Sequence, residues 1–463
     1  MLGRLQPRWS AGGTFGTLGF PLSRNILSRS RESNPLPEGT LAVGVGLLVV
    51  GVSAWGFLVV SARALGKAEY APLSVLWSLV FLAGPGFFLP LEQEVSRALA
   101  GRRARGLGSG PLLRRAALLG GGLAAMLVVI AVIASPALID HLFRGRVVLF
   151  VAFLAGLLGY YAEHLARGAF SGLGRFKAYS TLITVEGTSR LLAAVVLALI
   201  GIEKAGPFGL ALGLAPWLGV AVALRGQRDL VQPGPEATYS ELSSALGALL
   251  VGSVFAQALL FIGVIAVDLL ATDAQQDEAS RFLTGLIIAR IPLFLFQAVQ
   301  AALLPRLSAL AEAGRFDDFR AGFRRLLVVV VGIGVIGTAG SLAIGPWVVR
   351  LLFGAEFDLG NRTMGILAAS SALFMLAIAM AQAVIALGGH ARMAASWAVG
   401  VATFVVVTAL GHDLFLRVEL GLLAGCGTAA VCMALVLMRR IRSGAAVAVD
   451  DLIEAIHDLP GDV

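Results

Sequence analysis

Apolar windows recur along nearly the whole of this 463-residue chain. Each is about 20 residues long, enough to cross the ~30 Å hydrocarbon core of a bilayer as a helix. That core offers the backbone no water, so a crossing segment must satisfy its own N–H and C=O groups. Composition agrees: 58% of residues are hydrophobic and 14% charged, where soluble domains carry roughly 25% charged residues. The chain therefore reads as an all-α polytopic membrane protein, with about twelve spans between residues 40 and 438.

Charge placement orients the spans. The net charge of +8 invites a nucleic-acid partner, but the positive residues fall in alternate loops, which is the positive-inside pattern. Of the 36 Lys and Arg, 25 lie in the termini and even-numbered loops and 9 in the odd-numbered loops; Arg190 and Arg290 lie within spans. Both termini are expected in the cytoplasm, and no nucleic-acid partner is expected. Residues 1–38, rich in Arg, Ser, Gly and Pro, read as a disordered basic tail or in part as an over-long gene start. Cys426 and Cys432, six residues apart on one helix, point to opposite faces and suit neither a disulfide nor a metal. No cofactor is implied, and no G-x-x-x-x-G-K phosphate loop is present.

The two halves echo each other. Pro136 to Phe143 is matched by Pro346 to Phe353, Glu94–Arg97 by Leu303–Arg306, and Gly172–Lys177 by Leu387–Arg392, all at nearly constant offset. This predicts a six-helix lobe over 39–225, a cytoplasmic linker over 226–244, a second lobe over 245–438 and a cytoplasmic tail over 439–463. Six is even, so the repeats run in the same direction, related by an axis along the membrane normal. In the tail, Leu452, Ile453, Ile456 and Leu459 share one helical face opposite Asp450, Asp451, Glu454 and Asp458, which suits docking on a basic loop better than anionic lipid.

Several motifs resemble the polysaccharide-transporter branch of the multidrug/oligosaccharidyl-lipid/polysaccharide exporter superfamily. Arg63-Ala64-Leu65-Gly66 with Tyr70 is similar to its R-x-L-G-x-x-x-Y turn, although Ala71 stands where Gly is usual. Arg167-Gly168 with Gly172–Phe176, Glu186 with Arg190, Leu304–Leu307 and Leu352–Phe357 resemble its later markers. The resemblance implies two lobes forming a V and alternating-access export of lipid-linked sugars for the envelope of a bacterial inner membrane. Its expected partners are the glycan-lipid, membrane lipids and the glycosyltransferases or polymerase of the same pathway, with the transporter itself a monomer and not an enzyme. Multidrug exporters of the superfamily usually carry a carboxylate in span 1, and Leu41–Ala62 has none.

Candidate site residues are the polar groups inside spans, where charge is expensive and usually functional. Arg290 sits ~10 Å inside an otherwise apolar span at 1.5 Å per residue, with Gln297 and Gln300 on the same face. The three suit an anionic head and its sugar hydroxyls; alternatively Arg290 pairs with Asp268, Glu163 or Glu186, and the glutamines bond a neighbouring helix. Glu186 and Arg190, spaced i, i+4, can neutralise one another or face a cavity. Glu163 and Asp268 are candidates for a coupling ion, with His164 a proton-relay candidate beside Glu163. Asp273, Asp277 and Glu278 lack the rigid spacing of a calcium loop. Two further functions remain open: a proton- or sodium-coupled multidrug exporter, and a non-transporting scaffold of an envelope-synthesis complex.

Overall fold

The structure, a computed structural model, describes residues 40–242, 246–293, 296 and 315–457, with the main chain alone at 40–42, 240, 316 and 442–457. Eleven helices of ten or more residues carry the fold: α1 (Thr40–Ala104), α2 (Gly110–Ile133), α3 (Val147–Gly172), α4 (Phe176–Leu199), α5 (Ala205–Ala223), α6 (Leu246–Leu270), α7 (Glu278–Ala289), α8 (Phe316–Phe353), α9 (Asn361–Ala386), α10 (His390–Leu410) and α11 (Leu414–His457). Ten of the described helices are long and apolar enough to cross a membrane. No strand occurs among the described residues.

The expected spans 1 and 2 are the two arms of α1. Helical hydrogen bonding runs through both, broken only at Gly66, whose φ of 64° and ψ of 174° are open to glycine and costly for any other residue. The sequence predicts a loop over 63–69; the structure replaces it with this single-residue corner. The expected eighth span, 283–304, also differs. Its helix α7 stops at Ala289, and Arg290 takes a non-helical φ/ψ of −98°/1°. Pro292 accounts for the stop, because it has no N–H to give and its ring crowds the preceding turn.

Packing repeats between the halves. In the first lobe α1 packs on α4, α3 on α5 and α4 on α5. In the second, α6 packs on α10, α9 on α11 and α10 on α11. Within the first lobe α3 lies hard against the second arm of α1. A Cβ added at Gly168 would come 2.8 Å from the Glu92 carbonyl, and one at Gly172 2.6 Å from that of Ser96. Small residues permit this approach, the usual device where lipid supplies no hydrophobic drive. It brings Glu92 of α1 within reach of α3.

Residues 226–242 are not a bare connector. Arg102, 1% exposed, donates to both carboxylate oxygens of Glu241 at 3.0 Å, to the Pro235 carbonyl at 2.6 Å and to that of Gly108 at 2.9 Å. Glu241 also closes a capping box with Thr238. Arg97 reaches the Glu241 carbonyl at 2.7 Å, and the Ser109 hydroxyl donates to Leu230 O at 2.6 Å. The sequence offers these arginines mainly as signs of orientation, and secondarily as a grip on anionic headgroups.

Candidate functional site

A cavity of about 310 Å³ lies between the lobes, lined by α1, α3 and α4 on one side and by α6, α7 and Leu293 on the other. Its walls are largely apolar and aromatic. Trp77 stacks near Phe57 and Phe81, with ring centres at 5.7 and 4.3 Å, and Phe81 meets Phe261 of the second lobe at 6.0 Å. An arginine stands at each end of this aromatic bridge. The Arg190 guanidinium lies 5.3 Å from Trp77 and 5.7 Å from Phe81, and that of Arg290 5.3 Å from Phe261. Desolvated arginines over ring faces gain roughly 2 kcal/mol each from the ring quadrupole.

The two differ in what balances them. Arg190 and Glu186 are both buried and paired at 2.6 Å, with the Tyr160 hydroxyl donating to Glu186 at 3.2 Å. Its members neutralise each other, and both line the cavity. Arg290 has no carboxylate partner among the described residues. The three acids weighed as its counter-charge are engaged elsewhere: Glu186 by Arg190, Glu163 by Arg167 at 3.5 Å, and Asp268 by Arg144 at 3.5 Å. Gln297 and Gln300 lie outside the described residues.

Behind the first-lobe wall is a polar cluster that the sequence shows only in fragments. Arg167 pairs with Glu92 at 3.2 Å and donates to the Tyr179 hydroxyl at 2.9 Å; that hydroxyl donates to Glu92 at 3.3 Å. His164 Nδ1 meets Glu92 at 2.7 Å. Glu163 Oε2 and His164 Nε2 are buried with no hydrogen-bond partner among the described residues. Both residues line the cavity, as does Arg167. Glu92, Tyr160 and Tyr179 are not among the site residues that the sequence reading offers. A carboxylate at the end of an apolar span, facing the Glu163–Arg167 turn, was the available signal for Glu92.

Asp268 stands apart from the cavity. It belongs to a belt that ties the lobes at the arginine-poor end of the molecule. Arg144, after the π-helical turn Leu138–Leu142, bonds Asp268, Asp277 at 3.1 Å and the Gln276 carbonyl. Lys67 pairs with Glu278 at 3.2 Å, and Arg63 donates to Leu351 O and Leu352 O at 2.5 and 2.6 Å. Asp277 and Glu278 therefore serve as partners of first-lobe cations. Among the described residues no group of three or more His, Cys, Asp or Glu could hold a metal.

Comparison with solved structures finds the same architecture. One multidrug resistance MATE family transporter of the MOP superfamily, in its inward-facing conformation, superposes with a TM-score of 0.67 at 13% identity, covering 86% of this chain and 96% of that one. The chain has the MATE fold. An outward-facing structure of a MATE transporter of that superfamily superposes with a TM-score of 0.62 at 12% identity, covering 88% and 96%. Among curated proteins, the uncharacterized protein Rv1510 of Mycobacterium tuberculosis is 24% identical over 415 residues, covering 87% of this chain and 92% of its own length. No protein-family model matches. The motifs read from the sequence resemble a different branch of that superfamily.

Proposed function

We propose that this chain is a multi-pass transporter of the bacterial plasma membrane that exports small amphipathic compounds by alternating access. The observation that carries the reading is the cavity itself. Its volume of about 310 Å³ suits a drug-sized solute, its walls are mostly apolar, and it lies between lobes tied at one end. The multidrug transporters that share the fold support the same class of cargo. Arg290, which has no carboxylate partner among the described residues, favours cargo with an anionic head, since the guanidinium fork suits oxyanions.

The first-lobe wall supplies a coupling site. Glu92, Glu163 and Glu186 face Arg167 and Arg190, leaving one carboxylate in excess in a dry environment. Glu163, with a free oxygen at the cavity, takes a proton or sodium ion there. The distribution of arginines supports cytoplasmic termini and the ion-paired belt at the outer face.

A second reading is favoured by Arg290 and by the sequence motifs: the anionic head belongs to a polyprenyl-diphosphate glycan whose tail stays in lipid. Proteoliposomes separate the two. An anionic amphipathic dye should move when a proton or sodium gradient is applied, several-fold faster than its leak from empty liposomes and slower with Arg290→Gln. Dye movement equal to empty liposomes, under either gradient, sinks the first reading. Exposure of a fluorescent polyprenyl-diphosphate sugar on the far leaflet would then establish the second.

A further inference from the structure

A second cavity lies at the arginine-rich end, between the start of α2 and the segment before α6. It measures about 760 Å³ and is lined by Arg114, Arg115 and Leu118 on α2 and by Val231, Glu236 and Tyr239 opposite. Its far wall is held in place. Gly110 N–H donates to Gln232 O at 2.8 Å, Gln232 N–H donates to the Ser109 hydroxyl at 3.0 Å, and Arg102 clasps Pro235 and Glu241. A Cβ added at Gly108 would sit 2.0 Å from Pro233 O, so the two segments are in close contact there. The groove is thus preformed.

Its chemistry is amphipathic in one direction. Arg114 is exposed and has no ion pair or side-chain hydrogen bond among the described residues. Arg115 covers the Tyr239 ring at 4.6 Å and touches Glu236 at 3.9 Å, a loose pair because Glu236 is 96% exposed. One turn further along α2, Leu118 and Leu119 are exposed, and the apolar exposure continues through Met126, Val129 and Ile130. In a helix that crosses a membrane this stripe faces lipid tails. Two cations and an aromatic ring therefore sit where such a stripe meets water, the level of a phospholipid headgroup.

We propose that this groove binds an anionic phospholipid of the leaflet at the arginine-rich face. The phosphodiester lies on Arg114 and Arg115, the acyl chains follow Leu118 down α2, and Tyr239 supports the headgroup edge. An arginine near an anionic lipid surface contributes about fivefold in affinity. The site is independent of the transported cargo. It also bridges the first lobe and the chain that leads to the second, so its occupancy bears on how the lobes move.

The test uses the purified full-length protein, with phosphatidylglycerol and phosphatidylcholine as probes, read by native mass spectrometry and thermal unfolding. Wild type should retain phosphatidylglycerol over phosphatidylcholine, and Arg114→Gln/Arg115→Gln should lose most of that preference while unfolding at the wild-type temperature without lipid. Arg439→Gln, an exposed arginine at the same face, should keep it. Equal preference in the double variant and wild type overturns the proposal, as does an equal loss in Arg439→Gln. If the double variant unfolds early, Leu118→Asp decides, since it blocks the acyl path and leaves the arginines in place: an unchanged preference overturns the proposal. Stabilisation by inorganic phosphate equal to that by phosphatidylglycerol assigns the groove to a free anion and overturns it too.

Discussion

Arg102 and Glu241 fasten the end of α1 to the segment before α6. Arg102 is a fully buried cation, and its cost is met by four hydrogen bonds, two of them to Glu241. Burial pushes the Glu241 carboxyl up, but the Thr238 backbone N–H, the Arg102 bond and the charges of Arg102 and Arg105 outweigh it and hold its pKa below the ordinary 4.5. A carboxylate with a depressed folded pKa stabilises the native state above its unfolded value, and that contribution fades as pH falls through the folded value. Glu241→Gln should therefore cost about 1.5–3 kcal/mol near neutral pH, the range for hydrogen bonds to charged groups. Thermal unfolding of wild type and variant should converge as pH drops below about 4.5. A gap that stays constant down to strongly acidic pH would show that Glu241 acts by shape and not by charge.

At the scale of elements, the belt at the arginine-poor end joins the α2–α3 connection to α6 and α7. Arg144 is its hub, with three acceptors on the second lobe. Removing one member of a partly buried pair leaves its partner uncompensated, so Arg144→Gln weakens closure at that end. With Cys426 and Cys432 replaced by Ala, a cysteine at Ile287 in the cavity wall reports access. A membrane-impermeant maleimide added from that face should label it several-fold faster in Arg144→Gln than in the parent; equal rates would remove Arg144 from the gate. The belt was not legible in the sequence, because its acids and cations lie up to 211 residues apart, beyond the reach of any local spacing rule. What was legible came from local rules. The membrane-crossing helices followed from apolar length, the repeat from constant offsets, and the i, i+4 pair Glu186–Arg190 from helix geometry, whereas the stop of the eighth expected span at Ala289 did not. Long-range partners, such as Glu92 for His164 across 72 residues, depend on tertiary packing that one sequence does not encode locally.

For the molecule as a whole, two lobes of matching packing enclose a cavity whose charges are divided between them. The first lobe holds both members of the ion pairs along the cavity wall, and the second presents Arg290, at the end of α7, with no carboxylate partner among the described residues. Rigid lobes of this kind exchange access by rocking, and an ion-paired belt at one end must then open in each cycle. Lys67 and Glu278 face each other across that boundary at 3.2 Å. In the background lacking Cys426 and Cys432, Lys67→Cys with Glu278→Cys, joined by a cleavable bifunctional maleimide, should hold the belt shut. Transport should fall to the level of empty liposomes and return when the linker is cut, while either single cysteine treated alike stays active. The loss reports motion and not damage because it is reversible and needs both sites. Full transport after complete cross-linking would mean that cargo crosses without separation of the lobes at this end, and alternating access would have to be abandoned for this protein.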